Sequence, residues 1–519
     1  MNRIATSENT IPYRWYIIAA VMLSTVMEIL DTTIVTVSLP HMMGSLGADR
    51  DQISWVLTSY IVAAGMLMPL TGFLVNRLGC KRLLLINIVG FLLASALCGL
   101  SMNLTQMVVF RLFQGLFGAS LVPLSQFILR QTFPPEEQSK VMAIWGIGVM
   151  AAPIMGPTLG GYITDTLNWR WIFYINVPVC IIDFFLVVTF IQESPIKKLA
   201  IDWIGMILML VTVGALQLFL DRGQVDDWFS SVSICGLFFL FVVFFILFIF
   251  HSMKNKNPII NMELFKDRNF VLGTLVITFF SMAFFSSIMI MPQMLQTLFG
   301  YTSDLSGLTM APRGVASGMM MALASRLLSK KMDPRVLIVG GLSVCLYTLW
   351  LMSQLSLETG IQYITLIGFI QGFGIGAFFM PLSTLVYSTL PKHSYAEASG
   401  LFSFGRSIGN AMGVSLLITY LSRDTQSNWN RLGSYIQKTH LNVQHWLDAQ
   451  HLTLNDPRAI AQLTRELSIQ SNFLGYLHTY RMAAVLLCVA IVMSFFLRNK
   501  LRDKTKPRPS GSAAQIQIE

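Results

Sequence analysis

The chain has 519 residues, of which 54% are hydrophobic and only 12% charged, and its formal charge is +10. Soluble domains are about a quarter charged. The basic residues here gather in short loops between apolar runs, which excludes a nucleic-acid surface, and no polar stretch is long enough for an enzyme domain. The runs are each about twenty residues long, enough for a hydrocarbon core of roughly 30 Å, and the alternating pattern of a membrane barrel is absent.

In chain order the predicted spans cover 15–39, 54–75, 83–101, 106–129, 141–163, 171–191, 203–220, 231–250, 270–291, 306–328, 336–354, 361–388, 398–420 and 480–497. Fourteen spans put both termini on one side. With the N-terminus in the cytoplasm, 24 of the 36 Lys and Arg lie in cytoplasmic segments, including Arg3, Lys197, Lys198 and Lys256. The short outer loops then hold only Arg50, Arg170 and Arg222, as the positive-inside rule requires. The long loop 421–479 carries His440, His445, His451 and His478 with spacing that suggests amphipathic helices. The tail 501–519 is basic and Pro-containing, suited to a cytoplasmic end beside anionic lipid.

"VMEILDTTIVTVSLP" (26–40) places Glu28 and Asp31 inside the first span, about one turn apart. A charge at the bilayer centre costs roughly 2.5–3.5 kcal/mol on the gentlest scale, so such groups mark a pathway or a structural pair. Arg111 in the fourth span can supply the counter-charge. A proton would leave the acid as the arginine approaches and return as it withdraws. An ion pair that only holds the bundle together is the plainer alternative. Further intramembrane candidates are Asp183, Arg313 and Arg406.

The fourth span repeats in the twelfth. "FQGLFGASLVPLSQ" (113–126) resembles "IQGFGIGAFFMPLST" (370–384), with Gln114 and Gln371 257 residues apart, as are Gly115 and Gly372. "RLGCKR" (77–82) echoes "SKKMDPR" (329–335). Repeats of this kind point to a transporter of two homologous halves. They divide the chain into a six-helix bundle (1–192), two inserted helices with linkers (193–265) and a second six-helix bundle (266–500). In the fifth span, Gly148, Gly156, Gly160 and Gly161 share a face that lets a second backbone approach, and Pro153 and Pro157 should bend it. A hinge or seam between the halves is expected there.

Taken together these motifs resemble the fourteen-span drug:proton antiporters of the major facilitator superfamily, the EmrB/QacA type. "LDTTIVTVSLP" is similar to that family's first-span motif, with Thr36 for the usual Asn. "GFLVNRLGCKR" (72–82) resembles the loop motif after the second span, with Gly72, Arg77, Gly79 and Arg82 in place and Asn76 for the usual Asp. "RLFQG" (111–115), "GVMAAPIMGPTLGG" (148–161) and "WRWIFYINVP" (169–178) are similar to later family motifs. "LDRGQVDDWFSS" (220–231) and "NPIINMELFKDRNF" (257–270) look like the EmrB branch. The resemblance implies the major facilitator fold: an all-α polytopic protein of two six-helix bundles plus two extra helices in a bacterial inner membrane.

It also implies proton-driven efflux of hydrophobic or cationic drugs by alternating access. Asp31, Glu28 and Arg111 are the expected proton-coupling residues; the resemblance supports Asp31 and Arg111, while Glu28 departs from the family and is read as a local addition that also contacts cations. Gln114, Gln126, Asp183, Met291, Gln293, Gln371 and Arg406 are the expected substrate-cavity residues. Partners implied are a periplasmic adaptor of the EmrA type and an outer-membrane channel of the TolC type. No cofactor is expected beyond the proton gradient, since no phosphate-cradling G-x-x-x-x-G-K-[ST] loop occurs, and the scattered Cys and His give no metal spacing. Two readings stay open beside this one: a transporter dedicated to one metabolite, such as a fatty acid or siderophore, and a non-transporting membrane scaffold.

Overall fold

The structure is a computed structural model that describes residues 13–196, 200–255, 258–437, 441–451, 453 and 456–499. Arg3, Lys197, Lys198, Lys256, His440 and the tail 501–519 lie outside the described residues. Fourteen long helices carry the described chain, which contains no strand. They are α1 (Arg14–Leu46), α2 (Asp51–Leu78), α3 (Cys80–Leu100), α4 (Leu104–Thr132), α5 (Pro135–Thr166), α6 (Trp171–Phe190) and α7 (Trp203–Arg222). There follow α8 (Val232–Lys254), α9 (Arg268–Thr297), α10 (Ser303–Ser329), α11 (Pro334–Met352), α12 (Ile361–Tyr387), α13 (Tyr395–Gly433) and α14 (Pro457–Phe495).

Twelve of these are long and apolar enough to cross a membrane, and α5 makes thirteen when its two bent segments are counted together. The remaining helix, α10, has 27 residues and would span about 40 Å. Its Ser, Gly and Arg content, as in "GLTMAPRGVASG", keeps it out of the apolar set. Helix starts are set locally. Asn103, Asp202, Asp267, Thr302, Asp333 and Asp456 each accept a backbone N–H from the first turn of the helix that follows. Prolines set the breaks. In α4 the helix loosens at Ala119 and Ser120, where the ring of Pro123 crowds the carbonyl four residues earlier. In α5 the segments on either side of residue 154 meet at 43°, and Pro157 stands four residues after Pro153.

The packing of the first six helices recurs in the last six. α1 lies on α5 and α6, α2 on α4, and α3 on α4 and α6; α9 lies on α13 and α14, α10 on α12, and α11 on α12 and α14. One crossing shows the repeat at atomic scale. A Cβ on Gly115 would sit 2.4 Å from the Tyr60 carbonyl and 3.0 Å from Ala63 Cβ. A Cβ on Gly372 would sit 2.2 Å from the Arg313 carbonyl and 2.8 Å from Ala316 Cβ. Backbones touch there because both positions are glycine.

α7 and α8 stand outside this repeat. Asp202 accepts the Gly205 N–H at 3.0 Å and pairs with His251 Nε2 at 2.7 Å, which ties the two helices at one end. At the other, Thr58 donates to Asp221 and fastens the pair to α2. Only 11% of the apolar window of α8 is buried, against 67% for α12, so α8 lies at the lipid-facing rim.

Two expectations change. The stretch 421–479 contains the expected helices but is not a separate loop: α13 runs on to Gly433 and α14 begins at Pro457, each 39 residues long, with a short helix, Leu441–Ala449, between them. Those ends are polar enough to escape a hydropathy count but keep helical periodicity. His478 Nδ1 and Asp424 Oδ2 pair at 2.7 Å between the two helices. The glycine face of α5 is also not a seam between halves. Gly148, Gly156 and Gly160 face Met22, Thr33 and Ile34 of α1 in the same half, and Gly161, a further 100° around the helix, faces nothing within 4 Å. The other half meets α5 through Gly146, Ile147 and Thr158, which lie against Met321, Gly318 and Gly307 of α10.

Gly372→Leu should overpack the α10–α12 crossing and cost about 1–3 kcal/mol, read as a lower Tm of the purified protein in detergent. Gly340→Ala, where nothing lies within 4 Å, should leave Tm unchanged or slightly higher.

Candidate functional site

Asp31, Arg111, Gln114 and Asn176 form one buried polar cluster between α1, α4 and α6. Asp31 and Arg111 are both 0% exposed. Arg111 Nη1 donates to Asp31 Oδ2 at 2.6 Å and to Gln114 Oε1 at 2.8 Å. Gln114 Nε2 donates to Asp31 Oδ1 at 2.9 Å, and Asn176 Nδ2 donates to the same oxygen at 2.8 Å. Arg111 Nε donates to the Val56 carbonyl at 3.1 Å, and the guanidinium lies 4.3 Å over the Tyr60 ring. Asn176 also reaches Ser95 Oγ at 3.1 Å. Arg111 Nη2 alone is left without an acceptor.

The spacing of the polar residues explains the cluster. Arg111 and Gln114 are three apart on α4, so both side chains leave one face. Asn176 and Asp183 are seven apart on α6, as Ser24 and Asp31 are on α1, so the two helices meet twice along one seam. At the second meeting Ser24 Oγ donates to Asp183 Oδ2 at 2.5 Å, while Asp183 Oδ1 has no partner. Losing one member of a buried pair such as Asp31–Arg111 costs about 3–5 kcal/mol, because it strands the other charge.

Glu28 stands apart from this cluster. It is partly exposed where Asp31 is buried, and the charges that act on it are those of Arg406 on α13 and of Asp31. The two acids of α1 therefore face different surroundings, one the core of its own bundle and the other the opposite half.

The remaining expected cavity residues do not form one group. Gln114 and Asp183 belong to the N-terminal core just described. Met291 accepts from Arg313 Nη2 at 3.1 Å, and Gln371 is 1% exposed, both inside the C-terminal half. Gln126 accepts from Tyr387 Oη at 3.4 Å, and Gln293 is exposed.

One end of the interface between halves is tightly closed. Gly72 packs so near α13 that a Cβ would lie 2.3 Å from Glu397 Cα. Asn76 Nδ2 donates to Glu397 Oε1 at 3.1 Å, so the amide does the work of a neutral strut where an acid would repel. Arg130 Nη2 donates to the Ser383 carbonyl at 2.8 Å, with its guanidinium 3.8 Å over the Tyr387 ring. Gly79, at φ 88°, starts α3 under the Glu193 carboxylate, which accepts the Lys81 and Arg82 N–H groups at 3.0 and 3.1 Å. Arg82 Nε also lies 3.8 Å from Glu193.

Asn176, Glu193 and Glu397 join the site without being among the residues the sequence motifs point to. Asn176 was accessible as an amide within an apolar run, "WRWIFYINVP". The two acids lie at helix ends, where an acid carries no signal until its partner is known.

Comparison with known proteins places this architecture. The sequence model of the Major Facilitator Superfamily matches residues 21–414. The multidrug export protein EmrB of Escherichia coli K12 is 34% identical over 487 residues, covering 92% of this chain and 94% of that protein. The fatty acid resistance protein FarB of Neisseria gonorrhoeae is 34% identical over 474 residues, covering 90% and 93%. Among solved structures, the human organic anion transporter MFSD10 aligns with a TM-score of 0.58 at 16% identity over 92% of this chain and 99% of its own, a likeness of fold. The chain belongs to the major facilitator superfamily, as a multi-pass inner-membrane transporter of the EmrB type and not an enzyme.

Proposed function

We propose that this protein is a proton-driven multidrug exporter that works by alternating access, with both termini in the cytoplasm. The observation that supports the reading most directly is the sealed Asp31–Arg111 pair, both side chains 0% exposed in the core of the first bundle. A proton arriving at Asp31 cancels the attraction that holds Arg111 at 2.6 Å and loosens the seam between α1, α4 and α6. Its departure restores the pair. Coupling then needs only that the two arrangements favour opposite openings of the halves. In this scheme Gln114 and Asn176 are positioning residues that keep Asp31 Oδ1 occupied in both states. Glu28, which shares the interface with Arg406, contacts cationic solutes.

The names of the full-length relatives support drugs as cargo. With the N-terminus inside, the closed end formed by α2, α4, α12 and α13 is cytoplasmic, so the arrangement is closed to the cytoplasm. The polar ends of α13 and α14 then stand in the periplasm, where an adaptor of the EmrA type and a channel of the TolC type would continue the path. A second reading, export of one class of anionic amphiphile, is favoured by the FarB relationship. A panel of unrelated drugs decides between them: a single accepted class supports the second.

Dye efflux in inverted vesicles driven by a pH gradient tests the coupling. Asp31→Asn and Arg111→Ala should each reduce uphill efflux by more than about tenfold, at least ~1.4 kcal/mol in effective barrier. Glu28→Gln should narrow the range of cations accepted and leave efflux of neutral compounds near the parental rate. Uphill efflux by Asp31→Asn at the parental rate would refute the scheme.

Closure can be probed separately. Gly72→Val places a side chain into Glu397, so the closed end should not form. Transport should fall by at least about tenfold while the protein stays in the membrane, and a cysteine introduced at Ser383 should become reactive to a polar thiol reagent.

A further inference from the structure

The α2–α4 crossing and its repeat, α10–α12, differ in one respect that the repeat itself reveals. In the first, the arginine is on α4, at Arg111, and stacks over Tyr60 of α2. In the second, the position equivalent to Arg111 is Gly368 and the position equivalent to Tyr60 is Arg313. The arginine has changed helices. A Cβ on Gly368 would lie 3.8 Å from Arg313 Nε and Nη2, so the guanidinium rests in the space that the glycine leaves. Both halves thus keep a guanidinium at the crossing.

Only one of them keeps an acid. Arg111 has Asp31. Arg313, 2% exposed, has a thioether: Nη2 donates to Met291 Sδ at 3.1 Å, while Nε and Nη1 have no acceptor among the described residues. A thioether is a weak acceptor and carries no charge. No Asp or Glu occurs between 268 and 303, between 305 and 332, between 334 and 357 or between 359 and 396. The interiors of α9, α10, α11 and α12 therefore contain no carboxylate that could approach Arg313. Around it are further unmet polar atoms. Tyr480, on α14 and within electrostatic reach of Arg313, has a buried hydroxyl without a partner. Gln371, the counterpart of the Gln114 that bridges Arg111 to Asp31, has an Oε1 without a partner. An unpaired ion in such surroundings is far costlier than one with a counter-charge.

We propose that the core of the C-terminal half binds a small inorganic monoanion of the halide class, held along one edge of the Arg313 guanidinium and by the Tyr480 hydroxyl, with the Gln371 amide turned to donate. One positive charge calls for one negative charge. Met291, Gln371 and Tyr480 are each 1% exposed, so the site is sealed and the ligand compact. A water molecule would satisfy the donors and leave the charge unmatched. The anion is the diffusible counterpart of Asp31, and the site stands whatever solute is exported.

The test is thermal unfolding of the purified full-length protein in detergent, with sodium chloride titrated against sodium methanesulfonate at constant ionic strength. The wild-type Tm should rise with chloride and saturate, because a ligand that binds only the folded state stabilises by mass action. Arg313→Met should abolish the chloride response. Tyr480→Phe, which removes one hydroxyl, should raise the apparent Kd for chloride by about tenfold and serves as the test if the methionine variant does not fold. A wild-type Tm indifferent to chloride overturns the proposal, which is also the outcome for water in the site. So does a chloride response that survives unchanged in Arg313→Met, or in Tyr480→Phe where that variant serves.

Discussion

Everything distinctive in this molecule follows from placing ionised side chains where water cannot solvate them. In a medium of low dielectric, a lone charge is intolerable and a matched pair is merely expensive. Asp31 meets this constraint with three donors from three side chains, Arg111, Gln114 and Asn176. The helices that carry those groups have no freedom to slide without breaking one of the bonds. The cluster therefore sets the relative register of α1, α4 and α6, and makes that register sensitive to whatever neutralises the acid.

The two halves illustrate how a duplicated scaffold diverges. The close glycine crossing survives in both, because a side chain there would have to displace a backbone carbonyl at less than 2.5 Å. The polar groups placed on that crossing have not survived alike. One half has an arginine on α4 with its acid; the other has an arginine on α10 and none. Backbone approach is enforced by sterics at one atom, whereas electrostatic balance can be met by any suitably placed charge, and that freedom is where the halves part. The inserted α7 and α8 have no role in either crossing: Asp202 and His251 join them to each other, and α7 packs along α2, with Gly214 against Met66, Gln217 against Gly65 and Asp221 bound by Thr58.

Much of the architecture was readable in advance. Apolar length marks a membrane helix because nothing else can satisfy a backbone inside hydrocarbon, and the echo between 113–126 and 370–384 disclosed the duplication. The pairing of Asp31 with Arg111 was also accessible, since two opposite charges in apolar runs have few alternatives. What escaped was of three kinds. The polar ends of α13 and α14 are the amphipathic helices that the spacing suggests, but hydropathy does not show that they continue the spans. The glycine face of α5 was legible as a face, but the sequence is silent on which neighbour fills it, and that neighbour is α1 of the same half. Glu28 and Asp31 are close in the chain yet point to different surroundings, because three residues on a helix separate directions by about 60°.

The unbroken length of α13 has a mechanical meaning. At 39 residues it is about 58 Å long, roughly twice the thickness of the hydrocarbon layer. Its first turn is clamped to α2 through Glu397, and it is braced to α14 through Asp424 and His478, nine residues short of its end at Gly433. A stiff rod held at its base acts as a lever: a rotation of about 10° at the clamp would sweep the tip sideways by about 10 Å. A rearrangement within the membrane would thus reach, enlarged, a point well clear of the lipid.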